Sequence, residues 1–142
     1  MADPVGIVGL GITVLHGLIT YYRNLKDQDD DIVSLNTQLL RLHKIFTDIE
    51  SRIEETKNTL PLVKRRNIES ALEECVTEVE ELDKKLKAIQ TLDPPKGSRA
   101  KMKARFKRLR YPFDGKRTVF EIKEIASGLN GHIVAVTNVL QM

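Results

Sequence analysis

Tryptophan is missing from this sequence, cysteine occurs once, and aromatic residues make up only 5% of the 142 positions. The lone Cys75 excludes an internal disulfide and suits a reducing compartment. The histidines, His16, His43 and His132, stand singly, with no pair at metal-ligand spacing. There is no G-x-x-x-x-G-K-S/T phosphate loop and no nucleophile elbow. Gly6-x-x-Gly9-x-Gly11 follows no strand, so it is not a dinucleotide fingerprint. These absences leave no catalytic constellation: the sequence predicts no enzyme, no cofactor and no metal site.

Proline is equally informative by its placing. Pro4, Pro61, Pro94, Pro95 and Pro112 bound long runs that contain none, as long helices require. Apolar residues at 41% and charged residues at 30% then predict one all-α domain over residues 1–142. A secretory signal is not expected, because Met1, Ala2 and Asp3 supply no basic start and Tyr21-Tyr22-Arg23 is not a small-residue cleavage site. Ala2 also rules out the glycine needed for N-myristoylation.

What the chain does have begins at Pro4. The run PVGIVGLGITVLHGLITYY carries no acid and no Lys or Arg. As a helix over about 4–25 it would span about 28 Å in its apolar part, close to the hydrocarbon thickness of a bilayer. Large residues recur in two stripes, Val5, Val8, Ile12, Leu15, Ile19, Tyr22 and Ile7, Val14, Leu18, Tyr21. Between them runs a seam of small residues, Gly6, Gly9, Thr13, Gly17 and Thr20, expected to admit a neighbouring helix closely. Each glycine costs about 1 kcal/mol of helix propensity against alanine. A helix so apolar and so weak needs a partner, and the sequence leaves two open: a bundle core or a membrane.

The next segments carry a clearer period. Ile32, Leu35, Leu39, Leu42, Phe46, Ile49 and Ile53 alternate at spacings of 3 and 4 in a helix predicted over 30–57. Ile68, Leu72, Cys75, Val79, Leu82, Leu86 and Ile89 do the same over 61–91. The short break at Asn58–Pro61 predicts an antiparallel hairpin in the middle of the chain. Glu73, Glu74, Glu78, Glu80 and Glu81 mostly lie off the seam and read as a solvated acidic face.

Charge is segregated. Lys96 to Arg117 holds ten bases and one acid, leaving 13 bases against 19 acids elsewhere, a net −6. Met102, Phe106 and Leu109 give this stretch an apolar edge, so a short basic amphipathic helix is predicted over 99–110. Such a helix serves anionic lipid, nucleic acid or an acidic neighbour. Pro112 then ends it, Asp114-Gly115 turns the chain, and a last helix is predicted over 116–140. That helix is expected to bury Phe120, Ile122, Ile125, Leu129, Val136 and Leu140, with Gly128 and Gly131 receiving the first helix. The fold class is thus a bundle of four long helices plus one short basic helix.

The opening MADPVGIVGLGITVLHGLITYY, the long amphipathic pair and the segment KRLRYPFDGKRTVFEIKEIASGLNGHI together resemble fungal HeLo and HeLo-like N-terminal domains. The resemblance covers nearly the whole chain, with Tyr111-Pro112-Phe113 where many relatives carry tryptophan before the proline. It implies a cell-death effector domain of STAND/NLR-type receptors, cytoplasmic at rest, that oligomerises and carries its first helix to the plasma membrane. Val5, Ile7, Val8, Leu10, Ile12, Val14, Leu15, Leu18 and Ile19 would then insert, and Gly6, Gly9, Thr13 and Gly17 would be the close-packing seam. Arg99, Lys101, Lys103, Arg105, Lys107, Arg108 and Arg110 would bind anionic lipid. The implied partners are anionic lipids, further copies of the chain, and a receptor or further domains of its own. No nucleic-acid partner is expected. The chain ends without a nucleotide-binding, ankyrin or amyloid segment, and is expected to be an excised domain or a stand-alone effector. The alternative is a helical oligomerisation or adaptor module with no membrane activity.

Overall fold

Helix α1 runs from Pro4 to Arg23, α2 from Asp30 to Thr56, α3 from Leu62 to Gln90 and α4 from Tyr111 to Gln141. These are the elements of a computed structural model that describes residues 4–25, 29–56, 58–90 and 111–141. The described residues are all-helical apart from short turns, as the sequence predicts for a helical bundle. The expected short basic helix over 99–110 lies outside the described residues, together with Arg99, Lys101, Lys103, Arg105, Lys107, Arg108 and Arg110.

Local chemistry sets the boundaries. Asp29 caps α2: its Oδ1 accepts the Ile32 amide at 2.9 Å, satisfying one of the donors that a helix start leaves open. At the other end of α2 the Thr59 and Leu60 amides both return to the Thr56 carbonyl, closing the helix before Pro61. Helix α4 starts earlier than the sequence suggests. The backbone is helical through Tyr111, Pro112 and Asp114-Gly115, so no turn separates Pro112 from the last helix. Proline in a first helical turn gives up an amide that has no partner there, which removes the reason to break the helix at that point.

The heptad seams of α2 and α3 are buried as expected, from Ile32 to Ile49 and from Ile68 to Ile89. Ile53 packs at the edge. Helix α4 has a seam just as regular: Val119, Ile122, Ala126, Leu129, Ile133 and Val136 are buried at spacings of 3 and 4, so Ile122, Leu129 and Val136 are buried as expected, and Ile125 and Leu140 pack at the edge. Phe120 is 61% exposed. Of the residues expected to be buried only Phe120 is misplaced, because the strict alternation selects Val119 at that turn.

The pairing of the helices differs more deeply from the hairpin expectation. Helix α1 packs on α2 and α3, and α4 packs on α2 and α3, whereas α2 and α3 have no Cα atoms within 8 Å of each other. Consecutive in sequence, they stand at opposite corners. The order around the bundle is therefore α1, α2, α4, α3. Gly11 meets Phe46 and His16 meets His43, so α1 and α2 are antiparallel. Lys85 meets Glu121 and Glu78 meets His132, so α3 and α4 are antiparallel too. Asp31 lies near Lys123 and Gln38 near Ser127, making α2 and α4 parallel neighbours; α1 and α3 are then parallel as well. A heptad seam specifies which face is buried, not which helix covers it.

Candidate functional site

Helix α1 is the element with the most unusual sequence, and its resting position is now defined. It is docked. Ile7, Val8, Val14, Leu15, Leu18, Ile19 and Tyr22 are buried, and Leu10, Ile12 and Tyr21 pack at the edge of the same cluster. The six buried aliphatic side chains each contribute about 1.5–3 kcal/mol relative to exposure, which outweighs the glycine penalties of an otherwise weak helix. Val5 lies in α1 by its backbone.

The seam of small residues faces the other way. Gly6, Thr13 and Thr20 are exposed, with His16 beside them, and a Cβ on Gly9 would meet nothing within 4 Å. Large apolar side chains gain most from burial, so the two stripes take the interior and the small residues are left outside. Close approach occurs instead at Gly11 and Gly17. A Cβ on Gly11 would stand 2.9 Å from Phe46 Cε1, and one on Gly17 would stand 2.7 Å from Leu86 Cδ2. Only Gly17 of the expected seam is used in this way. The helix is not apolar all round, and among the described residues no helix is long and apolar enough to cross a membrane. Its length matches a bilayer; its composition does not.

Gly128 and Gly131 do not receive α1, because α1 and α4 are not in contact. Both are exposed, and a Cβ on Gly131 would meet nothing within 4 Å.

Close packing seats α1, with Phe46 over Gly11, Leu86 against Gly17, and the imidazoles of His16 and His43 at a centroid distance of 6.3 Å. Helix α4 is stitched by polar contacts. The Glu121 carboxylate takes both Lys85 from α3 and Arg117 from its own helix. The Lys85 hydrogen bond first, then the nearby positive charges, hold the Glu121 carboxyl below the ordinary carboxylate range. His132 reaches Glu78 at 3.1 Å and Glu74 at 3.5 Å. On the α2 side Gln38 donates to the Ser127 hydroxyl at 3.1 Å and to the Lys123 carbonyl at 3.4 Å.

The pairing of His132 with Glu74 and Glu78 escapes sequence reading, which treats the histidine as solitary and the acids as a solvated face. The residues are far apart along the chain, and only the α3–α4 packing joins them. Among the described residues no group of His, Cys, Asp or Glu is arranged to hold a metal ion. Cys75, buried on the α3 seam, has its thiol pushed up to about 12, by burial first and then by Glu78 and Glu74. A thiol so protonated is a packing group rather than a nucleophile.

No known family model matches the chain, and no solved structure matches it. It is similar to the azaphilone pigments biosynthesis cluster protein L of Monascus ruber, with 29% identity over 121 residues. The match covers 84% of this chain and 25% of that protein, so the chain spans about a quarter of the length of this relative.

Proposed function

We propose that this chain is a helical effector module that stores α1 in a resting bundle and, when activated, delivers it to an anionic membrane while the modules self-associate. The observation that carries this reading is how α1 is seated: six buried aliphatic side chains hold it at one corner of the bundle, and Gly6, Thr13 and Thr20 leave its outer side without large residues. Side chains buried by apolar packing can be re-solvated by lipid tails at little net loss. The basic stretch from Arg99 to Arg110 supports the same reading, since each base near an anionic surface contributes about 1 kcal/mol.

In this proposal the released helix lies in the membrane interface rather than across the bilayer, and the module moves from the cytoplasm to the plasma membrane. The trigger would come from an NLR- or STAND-type receptor or from further domains of a longer chain. Similarity over one quarter of a longer protein supports a module that recurs within larger chains. Purified protein is expected to bind phosphatidylserine vesicles and release an entrapped dye, and removal of residues 1–22 is expected to abolish toxicity in cells.

A second reading is an oligomerisation or adaptor module, favoured by the absence of a membrane-crossing helix among the described residues. Protein that leaves anionic vesicles unbound and intact, with toxicity unchanged on removing 1–22, establishes this reading and ends the first.

A further inference from the structure

Most of the surface is polar, and the large apolar side chains that stand out in it are few. Among the described residues the only adjacent pair of them is Leu62 at 61% and Val63 at 71%; Phe120 on α4, also at 61%, stands apart. They open α3, directly after the connection from α2, while Leu60 just before them packs against the core. The connection joins opposite corners, so it crosses the end face of the bundle, and Leu62 and Val63 are exposed at that end. Three bases follow at once, Lys64, Arg65 and Arg66, and no acid occurs between Glu55 and Glu69.

An apolar pair beside a run of bases matches the chemistry of one partner. The hydrocarbon boundary of a membrane accepts the Leu and Val side chains, and phosphate and carboxylate headgroups accept the ammonium and guanidinium groups. An apolar protein groove would explain the apolar pair but not the bases beside it. We propose that this end of the bundle, Leu62 and Val63 with Lys64 and Arg66, is a docking tip for an anionic bilayer surface.

Gln90 and Tyr111 lie at the opposite end of α3 and α4 from the tip. The tip is on the same end as the start of α1, because α1 and α3 run parallel. Docking through the tip therefore points the first turn of α1 toward the membrane before any release. The inference deepens the proposed function without requiring α1 to move, so the two can fail separately.

The test is site-specific fluorescence. The burial of Cys75 leaves an introduced cysteine as the reactive thiol, so an environment-sensitive dye can be placed by Val63→Cys or, on the exposed side of α1, by Thr13→Cys. With phosphatidylcholine vesicles containing phosphatidylserine, emission from position 63 is expected to move to the blue. It should stay unmoved with phosphatidylcholine alone and return on adding salt. Lys64→Glu/Arg66→Glu, given roughly fivefold per base, and Leu62→Glu/Val63→Glu, each checked by circular dichroism for an unchanged fold, are expected to weaken vesicle binding at least about tenfold. A silent position 63 with a responding position 13 overturns the tip and leaves the release of α1 standing. Silence at both overturns both. A blue shift that grows with protein concentration in the absence of vesicles makes the tip a contact between copies and overturns the lipid assignment.

Discussion

The ring of Phe46 closes over Gly11, so that a methyl group on this glycine would stand 2.9 Å from Cε1 of the ring. Two residues away, the same methyl on Gly9 would meet nothing within 4 Å. The pair separates helix propensity from packing. Gly9→Ala is expected to stabilise the bundle by up to about 1 kcal/mol, the propensity gain alone. Gly11→Ala gains the same term but overpacks a fully buried ring, at about 1–3 kcal/mol, for a net loss of up to about 2 kcal/mol. Thermal melts of the two variants should therefore move in opposite directions. A stabilised Gly11→Ala would remove the proposed seating of α1 on α2.

The register of α4 can be checked with two positions. Ile122 is fully buried and Phe120 is mostly exposed. Ile122→Ala should cost about 2–5 kcal/mol, and Phe120→Ser less than about 0.5 kcal/mol, as an exposed side chain away from the seam. Urea midpoints that rank them the other way would put Phe120 on the buried face in place of Val119.

Cys75 carries a pH signature. Its thiol remains protonated in the folded bundle up to about 12, whereas in the unfolded chain it ionises near 9. Between these values the unfolded state has lost a proton that the folded state keeps, so this residue makes stability fall as pH rises from about 9 to about 12. Cys75→Val should flatten that decline in urea titrations. In native buffer at neutral pH, iodoacetamide should leave Cys75 unmodified, and denaturant should make it reactive.

Glu121 acts at the other end of the pH scale. Lys85 and then Arg117 depress its folded-state value below the ordinary 4.5. Its contribution is complete above the unfolded value and is lost as pH falls through the folded one. Glu121→Gln should therefore make little difference in strong acid and weaken the bundle at neutral pH. Equal effects at both extremes would show that Lys85 and Arg117 do not act through its charge.

The residues that could be read from sequence are those whose burial depends only on their own helix. The seams from Ile32 to Ile49 and from Ile68 to Ile89 are evident because apolar residues repeat there without rivals. Two kinds of information were hidden. One is competition within a helix: α1 has large residues on two stripes and glycines between, and only their relative gain on burial decides that Thr13 and Gly9 stay outside. The same competition misplaces Phe120, whose size outweighs its register. The other is the identity of the neighbour. Nothing in the spacing around Ile49 or Ile68 tells that α2 and α3 avoid each other, or that His132 will stand beside Glu78. The basic residues from Arg99 to Arg110 are evident as a cluster, but they lie outside the described residues.

The diagonal placing of α2 and α3 divides the molecule like a book. One leaf is the antiparallel pair α1 and α2, the other the antiparallel pair α3 and α4, and the short connection before Leu62 is the spine. Within each leaf the helices are successive along the chain; between leaves the contacts are those of parallel helices, α1 with α3 and α2 with α4. Parting the leaves would unseat Leu86 from Gly17 and separate Gln38 from Ser127, while Phe46 stayed over Gly11. Opened in this way, α1 would show one side to its surroundings while still lying on α2, and its release would need the further step of lifting Gly11 from Phe46.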